Sequence, residues 1–243
     1  MSEYTGSNSA LLRVEGVDAF YGDFQAVQQA SFNVNNGEIV SLIGTNGAGK
    51  TTLMRTVGGV LPARNGRIFF EDTEITGLPP HKIVDLGISQ VPEGRHLFGR
   101  MSVKDNLIMG SYTPRARKGA KAELEKVYDL FPILKEKAEQ AAGSLSGGQQ
   151  QMVAIGRALM SQPKLICFDE IALGLAPTVI KDIYARVREL NNSGLTIVLV
   201  EQDVRRSLKQ SKRAYVMLKG KVVLEGVSSE LTEEEVSKAY FGM

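Results

Sequence analysis

What this chain lacks narrows its function before any motif is read. Its 243 residues include one cysteine, Cys167, two histidines, His81 and His96, and no tryptophan. A lone cysteine excludes an intrachain disulfide, and its setting, Leu165-Ile166-Cys167-Phe168, marks it as a small core residue. The histidines lack the clustered ligand spacing of a zinc site. Neither sign of charge dominates: 29 Lys and Arg against 27 Asp and Glu leave a net charge of +2, without the basic excess of a nucleic-acid binder. The densest basic run, Arg115, Arg117, Lys118 and Lys121, reads as a solvated helix start. Long hydrophobic runs are also missing. The longest are about five residues, against the ~20 needed to span a bilayer, so any membrane association has to run through a partner. The polar stretch Met1 to Ser9 reads as a flexible tail over residues 1–10, without the basic start and apolar centre of a signal peptide.

What remains is the composition of an ordinary globular protein, 43% hydrophobic and 23% charged. It suffices for one domain over residues 11–243. Strand and helix patterns alternate, which predicts an α/β fold. Leu11 to Tyr21 and Ala30 to Val34 read as strands flanking a turn at Gly22-Asp23. Further strands are expected at Ile39 to Ile43, Arg67 to Phe70, Gly87 to Val91, Leu165 to Phe168, Thr196 to Val200, Ala214 to Leu218 and Lys221 to Leu224. From Val103 to Met160 helical spacing takes over, as in Leu124, Val127, Tyr128 and Phe131. The α/β core is therefore interrupted by a mostly helical lobe at roughly 91–162.

Three segments carry chemistry. Gly44-Thr45-Asn46-Gly47-Ala48-Gly49-Lys50-Thr51 follows an apolar strand and precedes Thr52-Leu53-Met54-Arg55, which can continue as a helix. In that context the glycines lie in a turn whose backbone N–H groups, together with the helix N-terminus, bind phosphate. Lys50 neutralises β/γ-phosphate charge and Thr51 offers a hydroxyl to Mg²⁺. Leu165 to Phe168 runs into Asp169-Glu170: Asp169 leaves the strand's C-terminal end, where it can hold Mg²⁺ or its waters, and Glu170 is the candidate to polarise an attacking water. Leu145-Ser146-Gly147-Gly148-Gln149 opens a helix carrying Met152, Ile155 and Leu159, and forms a second N-terminal anion site; by itself it also fits a glycine-rich helix cap.

With all three segments in place, the chain resembles the ATP-binding-cassette ATPases over essentially its whole length. The resemblance implies a phosphate-loop NTPase core with an antiparallel β subdomain and an inserted helical subdomain. It also implies that ATP is sandwiched between the phosphate loop of one subunit and the signature residues Ser146, Gly147, Gly148 and Gln149 of another. Tyr21 matches the aromatic that stacks on adenine, although alone it also fits a strand-end core position. Gln90 matches the glutamine that contacts Mg²⁺ and the attacking water, and Leu173-Gly174-Leu175 matches the loop that crosses to the opposite site. Val91-Pro92-Glu93-Gly94-Arg95, Leu130-Phe131-Pro132 and Gly174-Leu175-Ala176-Pro177 are similar to the short ATPase subunits of branched-chain amino-acid importers; urea and short-chain amide importers fit as well. Such subunits act peripherally on the cytoplasmic face of the membrane. Their partners are a second ATPase subunit, identical or not, transmembrane permease subunits and, indirectly, a substrate-binding protein; no nucleic acid is expected. The alternative is an ABC-type regulatory clamp acting on nucleic acid or a protein machine.

Two departures from the broader family pattern bear on mechanism. Gln202 stands where a switch histidine is usual; it can hydrogen-bond to γ-phosphate or water but cannot become a cation near neutral pH. Ile171 and Ala172 replace a proline and a serine after Glu170. Loss of the proline frees φ, which predicts a less rigid Glu170 and slower hydrolysis.

Overall fold

The computed structural model describes residues 10–241. The expected tail, Ala10 apart, lies outside the described residues. In chain order the elements are β1 (Leu12–Tyr21), β2 (Phe24–Val34), β3 (Ile39–Gly44), α1 (Lys50–Val57), β4 (Ala63–Phe70), β5 (Thr73–Glu74), α2 (Pro80–Leu86), β6 (Ile88–Val91), α3 (Val103–Met109), α4 (Pro114–Leu130), α5 (Pro132–Glu136), α6 (Gly147–Leu159), β7 (Leu165–Asp169), α7 (Pro177–Asn192), β8 (Thr196–Glu201), α8 (Val204–Gln210), β9 (Arg213–Leu218), β10 (Lys221–Val227) and α9 (Glu233–Phe241). Local chemistry sets many helix starts. Proline occupies the first turn of α2, α4, α5 and α7, and Ser102, Thr113, Ser146 and Asp203 cap α3, α4, α6 and α8 through their side chains.

The strands form two sheets. One is antiparallel, in the order β2-β1-β4-β5; the other runs β10-β9-β3-β8-β7-β6 and is parallel except for β10. The central strands look uniformly apolar because both of their faces are buried, and their period of two divides them between two cores. Val40 and Leu42 of β3, Leu165 and Cys167 of β7, and Val198 and Val200 of β8 face α1 and the antiparallel sheet. Ile39, Ile166, Phe168, Ile197 and Leu199 face the other way, onto α7 and the helical lobe. The Cys167 thiol is sealed in the first core, and burial pushes its pKa up to about 12, so it is an inert core group.

Two strands begin several residues before the sequence predicts. β2 begins at Phe24, not Ala30, because its polar early residues are satisfied across the sheet: Asp18 Oδ1 accepts from the Gln29 N–H at 2.8 Å and from Gln25 Nε2 at 3.0 Å. Those glutamines erase the apolar alternation that would reveal the strand. β4 likewise begins at Ala63 and pairs with Ala19 of β1. The helical lobe runs from α3 to α6, and its apolar faces, including Leu107, Val127, Leu134, Val153 and Ile155, join the second core. Arg115 departs from the solvated reading of its basic run. Its guanidinium donates to the carbonyls of Asp85 at 3.1 Å, Ser161 at 2.8 Å and Gln162 at 2.9 Å, tying α4 to the end of α2 and to the segment after α6. Lys118 and Lys121 are exposed, as expected.

Candidate active site

β3 delivers the chain to the phosphate loop at the C-terminal edge of the parallel sheet. Gly44 is the last strand residue, and the turn runs through Thr45, Asn46, Gly47, Ala48 and Gly49 into α1. Gly47 has φ 79° and Gly49 has φ 102°, both left-handed. Gly49 also lies against other backbone: a Cβ there would stand 2.7 Å from the Ala26 carbonyl oxygen. Thr45, Asn46 and Gly47 are exposed, so the loop presents its backbone outward, whereas Lys50 is buried and folds back over it. Lys50 Nζ donates to the carbonyls of Gly44 at 2.7 Å and Thr45 at 3.2 Å, and lies 3.5 Å from Glu170 Oε1.

The acidic pair stands directly opposite. Asp169 ends β7 and accepts a hydrogen bond from the Thr51 hydroxyl at 3.2 Å. Burial raises the Asp169 pKa above the usual carboxylate range; Glu170 and Glu93 add to that, while the Thr51 hydroxyl and Lys50 offset part of it. A buried, disfavoured carboxylate beside a hydroxyl is a set of hard oxygen donors that a divalent cation would relieve. Mg²⁺ is commonly held by one or two such side chains together with phosphate oxygens and water.

Glu170 sits at φ 50°, a left-handed conformation that a non-glycine residue adopts only when its surroundings hold it there. Two contacts do so: its N–H donates to the Val200 carbonyl at 2.9 Å, and Ile171 and Ala172, 1% and 6% exposed, are packed into the second core. The segment after Glu170 is therefore anchored by packing, which opposes the loosening expected from loss of the proline. Glu170 Oε1 is buried without a hydrogen-bond partner, facing the phosphate-loop lysine.

Gln90 leaves β6 and donates to the Met54 carbonyl of α1 at 2.6 Å. Thr51, Gln90 and Asp169 line one cleft of about 330 Å³ together with Arg55, Glu93 and His96. Thr52 is half-buried on α1 behind the loop. Tyr21 is 44% exposed at the end of β1, with its hydroxyl accepting from Arg55 at 3.2 Å, so its ring is available for stacking rather than spent in the core. Gln202 follows the buried end of β8 and is half-buried.

The signature residues are elsewhere. Ser146 caps α6 in a reciprocal capping box with Gln149, and Gly148 packs so closely on α7 that a Cβ would meet Val179 Cγ1 at 2.7 Å. Ser146, Gly148 and Gln149 line a separate cleft with Phe131, Met152 and Arg186, and none of them lines the one that holds Thr51 and Asp169. The two segments that the sequence marks as anion sites therefore line separate clefts within the chain. Two features escaped sequence reading. Arg95 joins the segment after Gln90 to α6, donating to Gln150 Oε1 at 3.0 Å and accepting from Arg157 at its carbonyl, also at 3.0 Å. Glu201, at the end of β8, is buried and hydrogen-bonded to Tyr184 of α7. Its only sequence signal is a carboxylate that interrupts the apolar run Ile197 to Val200.

Residues 27–172 match the family model described as ABC transporter. The high-affinity branched-chain amino acid transport ATP-binding protein BraG of Pseudomonas aeruginosa is 45% identical over 96% of this chain and 100% of its own length. The lipopolysaccharide export system ATP-binding protein LptB of Escherichia coli is 34% identical over 96% of this chain and 98% of its own. Among solved structures, a nucleotide-free ATP-binding cassette from an ABC transporter superposes with a TM-score of 0.82 at 32% identity, covering 95% of this chain and 94% of that one. The family match and the whole-length likeness together make this chain a member of the ABC transporter family, an ATPase built on that family's ATP-binding cassette.

Proposed function

We propose that this chain powers an importer of branched-chain amino acids or a related small solute, working from the cytoplasmic face of the membrane against transmembrane permease subunits. The observation that carries the reading is the separation of the two half-sites, which calls for a second subunit: the phosphate loop of one chain and Ser146 to Gln149 of another bracket one ATP. The 45% identity to a branched-chain amino acid transport protein over the whole chain supports the solute class. Among the described residues no helix is long and apolar enough to cross a membrane, which fits a division of labour with permease subunits.

Within the site, the backbone N–H groups from Gly44 to Thr52 and the Lys50 ammonium bind the phosphates, while the exposed Tyr21 ring stacks on the base. Mg²⁺ would be held by Thr51, Gln90 and Asp169, and would supply positive charge that favours phosphoryl transfer. Glu170 takes the proton of the attacking water, and Gln90 and Gln202 orient that water by hydrogen bonding. Hydrolysis removes the γ-phosphate that joins the half-sites, so the dimer opens and the helical lobe passes the movement to the permease.

Co-purification of the tagged chain with its membrane subunits, followed by solute uptake into reconstituted vesicles, tests this reading. ATP-dependent uptake of leucine, isoleucine or valine is the expected result. Capture of a lipid-exporting partner would move the chain to the export branch that LptB represents. Salt-sensitive nucleic-acid binding without membrane subunits would favour the regulatory clamp.

A further inference from the structure

The Glu201–Tyr184 pair has no part in the mechanism above, and packing alone does not require it. Glu201 has the strand parity of Ile197 and Leu199, the face of β8 that packs α7 through Ile183, Tyr184 and Val187. An apolar residue would fill that position; instead a carboxylate that is 2% exposed accepts a hydrogen bond from the hydroxyl of Tyr184, itself 3% exposed. A buried carboxylate carries a desolvation cost that a hydrophobic residue would not.

The position of the pair gives it a use. On the strand side, Val200 accepts the Glu170 N–H at 2.9 Å, Glu201 is the next residue and Gln202 the one after. On the helix side, Tyr184 sits about two turns into α7, which starts at Pro177 just after the loop Leu173-Gly174-Leu175, whose first two residues are exposed. The Arg206 guanidinium of α8 stands 5.8 Å from the Tyr184 ring and is held by Asp203 at 3.0 Å, closing the pocket around the phenol. One buried hydrogen bond therefore ties the helix behind the crossing loop to the strand end that carries Gln202 and backs Glu170.

We propose that Tyr184 is a positioning residue for ATP hydrolysis: its hydrogen bond to Glu201 fixes the strand end that presents Gln202 and supports Glu170. The proposal rests on the roles assigned above to Glu170 and Gln202. Misplacing a reacting group by about 1 Å can cost ~100-fold in rate, so a hydroxyl that never touches substrate can still govern kcat.

The test is steady-state ATP turnover of the chain, purified with whatever subunits accompany it, for Tyr184→Phe, Glu201→Gln, Glu201→Leu, Glu170→Gln and Gln202→Ala. Tyr184→Phe keeps the packed ring; it is expected to lower kcat about 10- to 100-fold with KM for ATP within about twofold of wild type. Glu201→Gln retains an acceptor for the phenol and should lose clearly less than Glu201→Leu, a rescue that a merely structural role does not produce. Should Tyr184→Phe fold poorly, the contrast between the two Glu201 variants decides the matter. Wild-type turnover in Tyr184→Phe, or equal losses in both Glu201 variants, overturns the proposal while Glu170→Gln and Gln202→Ala still show their defects. Undiminished turnover in those last two variants overturns the underlying assignment, and this proposal with it.

Discussion

The Lys50 ammonium lies 3.5 Å from the Glu170 carboxylate, with the two side chains only 5% and 8% exposed. The proposed phosphate-binding cation and the proposed base are therefore in direct ion-pair contact in this structure. Removing either one has a distinct consequence. Glu170→Gln keeps the shape and loses the proton acceptor, so turnover should fall about 10²- to 10⁴-fold while nucleotide binding persists. Light scattering of that variant with ATP and Mg²⁺ should reveal a trapped dimer. Lys50→Ala should instead weaken ATP binding itself, measured by titration with a fluorescent analogue. Rapid turnover by Glu170→Gln would show that another group acts as the base.

Gln202 sits next to the buried strand end but offers only an amide, so the role proposed for it is orientation rather than proton transfer. Gln202→Ala should lower kcat about 10- to 100-fold with little change in ATP affinity. A parallel loss of binding would place Gln202 on the nucleotide in the ground state and end the orienting role.

The two left-handed glycines of the phosphate loop differ in their surroundings, and the difference is measurable. A Cβ on Gly47 meets nothing within 4 Å, so Gly47→Ala incurs only the backbone penalty of about 1–2 kcal/mol, a fall in Tm of about 2–8 °C. Gly49→Ala adds a clash with the Ala26 carbonyl at 2.7 Å, which is backbone and cannot swing aside. Calorimetry should show the larger loss at Gly49; equal losses would mean that the loop relaxes away from β2.

Two buried glutamates shift in opposite directions and give opposite pH signatures. Burial pushes the Glu38 pKa up, but the Arg213 guanidinium, bonded at 2.7 and 2.9 Å, and the Asn35 N–H more than offset it, so the folded value lies below the ordinary 4.5. The stability Glu38 contributes is thus complete above about pH 4.5 and disappears on acidification through its folded value. Glu38→Gln should cost about 3 kcal/mol at neutral pH and progressively less in acid. Glu201 behaves in reverse. Burial, Glu170 and Asp203 outweigh Tyr184 and Arg206, raising its pKa from 4.5 to about 7, so the folded state holds the extra proton and loses stability as pH rises across that interval. The Tm of Glu201→Gln relative to wild type should therefore increase between pH 4.5 and 7 and level off above. A flat difference over that range would mean that Glu201 stays ionised throughout.

The local patterns on which each proposed half-site rests were legible in the chain alone. A glycine run between an apolar strand and a helix, an acidic pair at a strand end and a capped signature helix are local patterns, written in adjacent residues and in the periods of two and 3.6. Cys167 in the core, the apolar face of α7 and the helical lobe were legible for the same reason. Tertiary structure decided what depends on residues far apart in the chain. It hid the start of β2, whose glutamines are satisfied by Asp18 across the sheet. It turned Arg115 from a surface charge into a clamp on three carbonyls, and held Glu170 by burying Ile171 and Ala172. It paired Glu201 with Tyr184, 17 residues apart, and kept the phosphate loop and Ser146 in separate clefts. Burial and long-range hydrogen bonding are properties of the packed chain, and no local pattern encodes which distant partner will satisfy a given polar group.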